Sequence, residues 1–201
     1  VTEHKPSDKD TTPRDQAWVS QNTPGQSASA RLAEMLRVDH AGEYGAVRIY
    51  EGQLAVLRNR PGAEEAVAAI EEMAAQEAEH LETFDKILID KRVRPTALTP
   101  FWHVAGFALG AGTALLGEKA AMACTTAVED VIDEHYTAQL DTLALQGETE
   151  LAETIEKFRQ DEVDHRNAAL EAGATEAPAF PLLSGAIKAA CRVAIAVSEK
   201  V

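Results

Sequence analysis

Cysteine is nearly absent. Cys124 and Cys191 are the only two in 201 residues, too few and too far apart for a disulfide framework, and neither sits in a CxxC pair. They read as small buried or interfacial hydrophobes in a reducing compartment. Aromatic residues make up only 5% of the chain, and alternating β-branched runs are scarce, which argues against a sheet-based core. What remains is an all-α protein rich in Ala, Glu and Leu. Positive charge is also short: 19 Lys and Arg stand against 33 Asp and Glu, a formal net charge of −14. Such a chain repels phosphates, so nucleic acid is excluded as a partner. It also gains nothing from the charge of an anionic membrane, and membrane contact would have to come from apolar surface or local basic clusters. No secretory signal is visible.

Residues 1–27 are polar and broken by Pro6, Pro13, Pro24 and Gly25. They read as a flexible N-terminal arm, and they are not Arg-rich enough for a transit peptide. Residues 28–201 are expected to form one domain with a substantial core. Its first helix runs from about Ser29 to Asn59 and its second from about Ala63 to Lys91, separated by the turn Arg60-Pro61-Gly62. Glu43, Glu77 and His80 fall on the otherwise apolar stripes of these helices. Pro95 and Pro100 bracket a break before the run Phe101 to Leu116, which is slightly short of the about 20 apolar residues that span a bilayer. Three readings are open for this run: a buried helix, a helix in a membrane interface, or a packing surface through Gly106-xxx-Gly110. Long helices follow from about Glu118 to Leu145 and from about Thr149 to Ala172. A last segment from Leu182 to about Glu199 suits either packing or an amphipathic membrane contact.

The chain repeats itself. At an offset of 86, Glu43, Tyr50, Gln53, Leu54 and Leu57 match Glu129, Tyr136, Gln139, Leu140 and Leu143. At an offset of 85, Glu77-x-x-His80 matches Glu162-x-x-His165. Each half is a helix with one Glu, a turn, and a helix with Glu-x-x-His. Two such hairpins predict a four-helix bundle with approximate two-fold symmetry and the apolar run in the crossover.

Four carboxylates in a bundle core are costly unless cations neutralise them. One Glu from each of two helices and Glu-x-x-His from each of the other two is the ligand pattern of di-iron and di-manganese bundles. The expected ligands are Glu43, Glu77, His80, Glu129, Glu162 and His165, with Glu43 and Glu129 at opposite ends and Glu77 and Glu162 able to bridge. Oxygen-rich donors with one imidazole per metal suit iron or manganese. A lone Glu-x-x-His is an ordinary exposed helix pair; the duplicated set is far more specific. Asp161 is a candidate partner for the outer nitrogen of His80, with Asp39, Asp85 and Asp164 as others. Tyr50 and Tyr136 read as core packing, His40 as a cap or supporting group, and His135 as the next histidine to tie to the site. His4, in the arm, reads as inert. These residues alone leave open an O2-activating hydroxylase, a peroxide-reducing or catalase-like enzyme, a ferroxidase, iron storage, or a metal-free bundle.

Longer stretches narrow this. Arg37-Val38-Asp39-His40-Ala41-Gly42-Glu43-Tyr44-Gly45-Ala46, Arg92-Val93-Arg94-Pro95-Thr96, Gly106 to Gly117, Ala121-Met122-Ala123-Cys124-Thr125 and Cys191-Arg192-Val193-Ala194-Ile195 closely resemble the demethoxyubiquinone hydroxylase family of ubiquinone biosynthesis. The resemblance covers about residues 30–201 and departs at none of the six ligand positions. It implies a ferritin-like di-iron monooxygenase that hydroxylates the ring of demethoxyubiquinone or its quinol, with two iron ions, O2 as co-substrate and NADH as electron source. It places His135 and Tyr136 near the iron site and Arg192 on the quinone path. It also implies peripheral contact with the bacterial inner membrane on its cytoplasmic face or the mitochondrial inner membrane on its matrix face, through the apolar run and the last helix. Arg92, Arg94, Lys188 and Arg192 would then sit at the headgroups. A lipid-binding partner protein of the same pathway is implied, and an oligomer is compatible with it.

Overall fold

Among the described residues six α-helices follow one another: α1 (Ala28–Leu57), α2 (Glu64–Lys91), α3 (Thr99–Leu116), α4 (Glu118–Gln146), α5 (Thr149–Glu171) and α6 (Phe180–Ser198). A single 3-10 turn, Ala174–Glu176, precedes α6, and no strand occurs among the described residues. The computed structural model describes residues 28–200; the arm expected over 1–27 lies outside the described residues.

The helices begin and end where the sequence changes character. α4 stops at Gly147, whose φ of 73° gives the left-handed cap that lets its N–H return to Leu143 and Ala144. α3 starts one residue before Pro100, not after it. In the first turn a missing N–H costs nothing, so Pro100 opens the helix and the break is confined to residues 92–98.

α1 and α2 form one hairpin and α4 and α5 the other, as the repeat predicts. Two apolar layers fill the bundle. One contains Tyr50, Leu54, Leu57, Ile70, Met73 and Met122; the other contains Leu36, Phe84, Leu88, Tyr136, Leu143, Ile155 and Phe158. The charged positions of α1, α2, α4 and α5 fall in sequence between these layers. Apolar burial on both sides therefore holds the polar layer in place.

α3 reaches the core only near its C-terminal end, at Ala114. It is buried only at Gly110, Thr113 and Ala114, and it lies across α1 at backbone contact distance. A Cβ on Gly110 would collide with the Ile49 carbonyl, and one on Gly52 with the Phe107 carbonyl. On Gly106 it would sit 2.9 Å from the Gly45 oxygen. The Gly106-xxx-Gly110 spacing is therefore a packing face against α1, and the other face, with Phe101, Val104, Leu115 and Leu116, is exposed. α6 packs on α4 through Ser184 and Ile187 and leaves Leu182, Val193 and Val197 outside. It is the one helix among the described residues long and apolar enough to cross a membrane by length and composition.

Candidate metal centre

Glu43 on α1, Glu77 and His80 on α2, Glu129 on α4, and Glu162 and His165 on α5 are all buried and meet in the bundle. They form two groups, Glu43, Glu77, His80 and Glu162, and Glu77, Glu129, Glu162 and His165. Within each group one donor atom per residue lies within 4.8 Å of the others. Glu77 and Glu162 belong to both groups, while Glu43 and Glu129 mark the two ends.

The donor atoms lack protein partners. Glu43 Oε2, both oxygens of Glu77, Glu129 Oε2, both oxygens of Glu162, and Nδ1 of His80 and His165 are buried without a hydrogen bond. The Nδ1 atoms approach carboxylates at 3.0–3.5 Å, but not in hydrogen-bonding alignment. Eight orphaned polar atoms aimed at one small volume would be a large penalty in a finished core. They fit a cluster built to close around cations, and carboxylate oxygens with one imidazole per group suit iron or manganese.

Electrostatics point the same way. Burial first, then repulsion from Glu162, pushes the carboxyl of Glu77 well above the ordinary range, and Glu129 shifts likewise; Glu43 is also raised, chiefly by burial. Glu162 is penalised by burial too, but the close approach and charge of the His165 and His80 rings outweigh this and hold it at about 2. His80 is lowered by burial, yet Glu162 and Glu43 raise it to about 10 overall. Without cations, the cluster keeps its charge down by holding protons.

Each imidazole is anchored from outside. His80 Nε2 meets Asp161 Oδ2 at 3.1 Å, the contact anticipated for Asp161, and the ring stacks on Phe158. His165 Nε2 meets Gln76 Oε1 at 2.7 Å. Sequence reasoning missed Gln76, although the offset of 85 makes it the counterpart of Asp161. Of the other acids considered, Asp85 bonds His40 at 3.0 Å, and Asp39 accepts from Gln139 at 2.6 Å and lies 3.2 Å from His135 Nε2. Asp164 is exposed.

The two tyrosines do more than pack. Tyr50 donates to Glu129 Oε1 at 2.8 Å, and Tyr136 donates to Glu43 Oε1. Burial first, then the neighbouring carboxylates, pushes both phenols well above their usual range, so both stay protonated donors.

A cavity of about 310 Å³ opens between α1, α3, α4 and α6. Glu43, Asp39, His135 and Tyr136 line it on one side, and Ile49, Leu109, Val128, Ile132 and Cys191 give it apolar walls. Trp102 also lines it, and its buried Nε1 has no partner. Arg192 is not among the lining residues. Its Nη2 pairs with Glu134 at 3.0 Å, next to the lining Cys191. Lys188 is similarly tied to Asp130 at 2.7 Å.

Comparison with known proteins gives one consistent picture. A sequence model of the family described as Ubiquinone biosynthesis protein COQ7 matches residues 30–198. The chain is 59% identical over 179 residues to the 3-demethoxyubiquinol 3-hydroxylase of Rhodospirillum rubrum, covering 89% of this chain and 82% of that protein. It is 49% identical over 174 residues to the human mitochondrial NADPH-dependent 3-demethoxyubiquinone 3-hydroxylase, covering 85% and 78%. Against the mitochondrial 5-demethoxyubiquinone hydroxylase of Saccharomyces cerevisiae, identity is 40% over 215 residues, covering 100% and 91%.

Proposed function

Because the chain belongs to the demethoxyubiquinone hydroxylase family of ubiquinone biosynthesis, we propose that it hydroxylates the ring of demethoxyubiquinone or its quinol, with Glu43, Glu77, His80, Glu129, Glu162 and His165 holding two iron ions. The observation that carries this reading is the set of eight orphaned donor atoms beside a mostly apolar cavity. Two bound irons supply the O2 activation that such a hydroxylation needs. One oxygen atom enters a ring C–H bond and the other leaves as water, which takes up two electrons and two protons. A reduced nicotinamide nucleotide is the electron source; the family resemblance implies NADH, while the human relative's name carries NADPH.

The chain's own residues do the rest. Ile49, Leu109, Val128 and Ile132 exclude water from the ring site, which strengthens every polar contact inside it. Tyr136 fixes one oxygen of Glu43 on the cavity side. His135 Nε2 lies 2.7 Å from Gln139 Nε2 and 3.2 Å from Asp39 Oδ1, and Gln139 also donates to Asp39, so the three side chains hold His135 in one orientation at the cavity wall, where it can pass a proton at a ring oxygen.

We assign catalysis to residues 28–201 and membrane contact to the exposed faces of α3 and α6, at the inner membrane of a bacterium or mitochondrion. A lipid-binding partner or a second copy would compete for the same faces. The deciding experiment is iron stoichiometry with Mössbauer spectra, followed by O2-dependent conversion of a short-chain demethoxyquinone with NADH or NADPH. Two irons with quinone turnover are expected. Two irons without turnover would overturn the hydroxylase reading and leave the di-iron one.

A further inference from the structure

The internal repeat makes Asp161 and Gln76 counterparts, and each accepts the outer proton of a cluster histidine. They are not chemically equal. Asp161 is an anion on His80; Gln76 is a neutral amide on His165. The amide must present Oε1 to His165. The flipped amide would make Nε2 of His165 an acceptor and put the ring proton on Nδ1, which faces Glu77 and Glu162 and could not then donate to a metal.

Both rings turn Nδ1 inward, so the partner on Nε2 sets how strongly each Nδ1 donates. A carboxylate draws the Nε2 proton and raises the basicity of the other nitrogen; an amide oxygen does so much less. Distance works against this, since the Gln76 contact is shorter, 2.7 Å against 3.1 Å. Charge wins, because a charge-assisted bond is roughly twice as strong as a neutral one. Asp161 is 31% exposed, so solvent keeps its effect to the lower end of the range seen for outer-sphere partners, about tenfold in metal affinity.

The cavity breaks the symmetry in the same sense. Glu43 and Tyr136 line it, while their counterparts Glu129 and Tyr50 do not. Glu43 shares its group with His80, and Glu129 with His165. The position backed by the anion is therefore the one that faces the cavity.

We propose that Asp161 and Gln76 are positioning residues that make the two metal positions unlike: the cavity-facing Glu43–His80 position binds its ion more tightly, at a more reducing potential, than the Glu129–His165 position. This rests on the six residues being the ligands. The test is anaerobic titration of the metal-free full chain with 57Fe(II) against a competing chelator, with Mössbauer spectra of the loaded protein. Two ions should enter in steps about tenfold apart and give two quadrupole doublets of equal area. Asp161→Asn should weaken the tighter step, and Gln76→Glu should strengthen the weaker one, so the steps converge from opposite directions and the doublets move together. Equal steps with a single doublet in the unaltered protein overturn the asymmetry, as do unchanged separations in the variants. If Asp161→Asn does not fold, Gln76→Glu decides alone. A chain that takes up no iron overturns the metal-centre reading itself, a different result from two equal ions.

Discussion

Tyr50 on α1 donates its hydroxyl to Glu129 on α4 at 2.8 Å, and Tyr136 on α4 returns the same contact to Glu43 on α1. Each half of the repeat thus orients the end carboxylate of the other. The exchange ties α1 to α4 through the polar layer itself and leaves the remaining oxygen of each Glu turned inward without a partner.

Removing either phenol strips a partner from a buried carboxylate, a loss of about 1–3 kcal/mol in such sites. Both Tyr50→Phe and Tyr136→Phe should lower the unfolding free energy by that order, read as a lower urea midpoint at unchanged slope. Only Tyr136 lines the cavity, so only Tyr136→Phe should raise KM as well as lower kcat. Denaturation curves and steady-state kinetics on the two variants check this; matching KM values would remove Tyr136 from the ring site.

The bundle and the meeting of the six charged residues were legible because both are periodic. Glu43 and Glu129 sit on apolar stripes, and Glu-x-x-His recurs at a fixed offset. Asp161 was legible for the same reason, being one position before Glu162 on the same turn. Gln76 was overlooked because an amide does not advertise itself as a partner for a ligand, although the repeat pointed to it. The crossed tyrosines were hidden because periodicity places a residue on a face but not opposite a particular neighbour. The fate of the run Phe101 to Leu116 was undecidable from composition, since it has one face of each kind: glycines against α1 and large apolar side chains outside.

Those glycines hold α3 against α1, and α3 lines the cavity through Trp102, Ala105, Gly106 and Leu109. Gly110→Ala should drive α3 off α1, because the added methyl meets the backbone of Ile49 rather than a movable side chain. Overpacking of this kind costs about 1–3 kcal/mol. Gly112→Ala is the control: nothing lies within 4 Å of its added Cβ, so it should be neutral or gain roughly 0.5–1 kcal/mol of helix propensity. Urea unfolding of both variants separates close packing from propensity.

Burial pushes the Cys191 thiol up to about 11, with Glu129 adding to it and Arg192 opposing, and burial pushes Cys124 up to about 12. Both thiols are protonated near neutral pH and should react slowly with iodoacetamide in the native protein. Labelling should rise about tenfold per pH unit between pH 8 and 10 as the thiolate fraction grows. In the folded state each thiol keeps a proton that the unfolded chain has lost by about pH 9, so these groups make folding less favourable as pH rises from there toward about 11. Cys191 lines the cavity, so a short-chain quinone should protect it selectively, as mass spectrometry of the labelled peptides would read.

Membrane contact, if it uses α3 and α6, must be apolar in origin. The net charge of −14 opposes anionic lipid, and the two α6 cations on that side are engaged: Lys188 with Asp130 and Arg192 with Glu134. Phe101 is 60% exposed and Leu182 75% exposed, and burying a side chain of this size is worth about 1.5–3 kcal/mol. Phe101→Asp or Leu182→Asp should therefore weaken vesicle binding by roughly tenfold or more while the bundle stays folded. Flotation with neutral phosphatidylcholine vesicles should capture the unaltered protein, and added salt should not release it. Binding that needs acidic lipid and falls with salt would instead assign the contact to basic residues such as Arg92 and Arg94, and the exposed apolar faces would then require a protein to cover them.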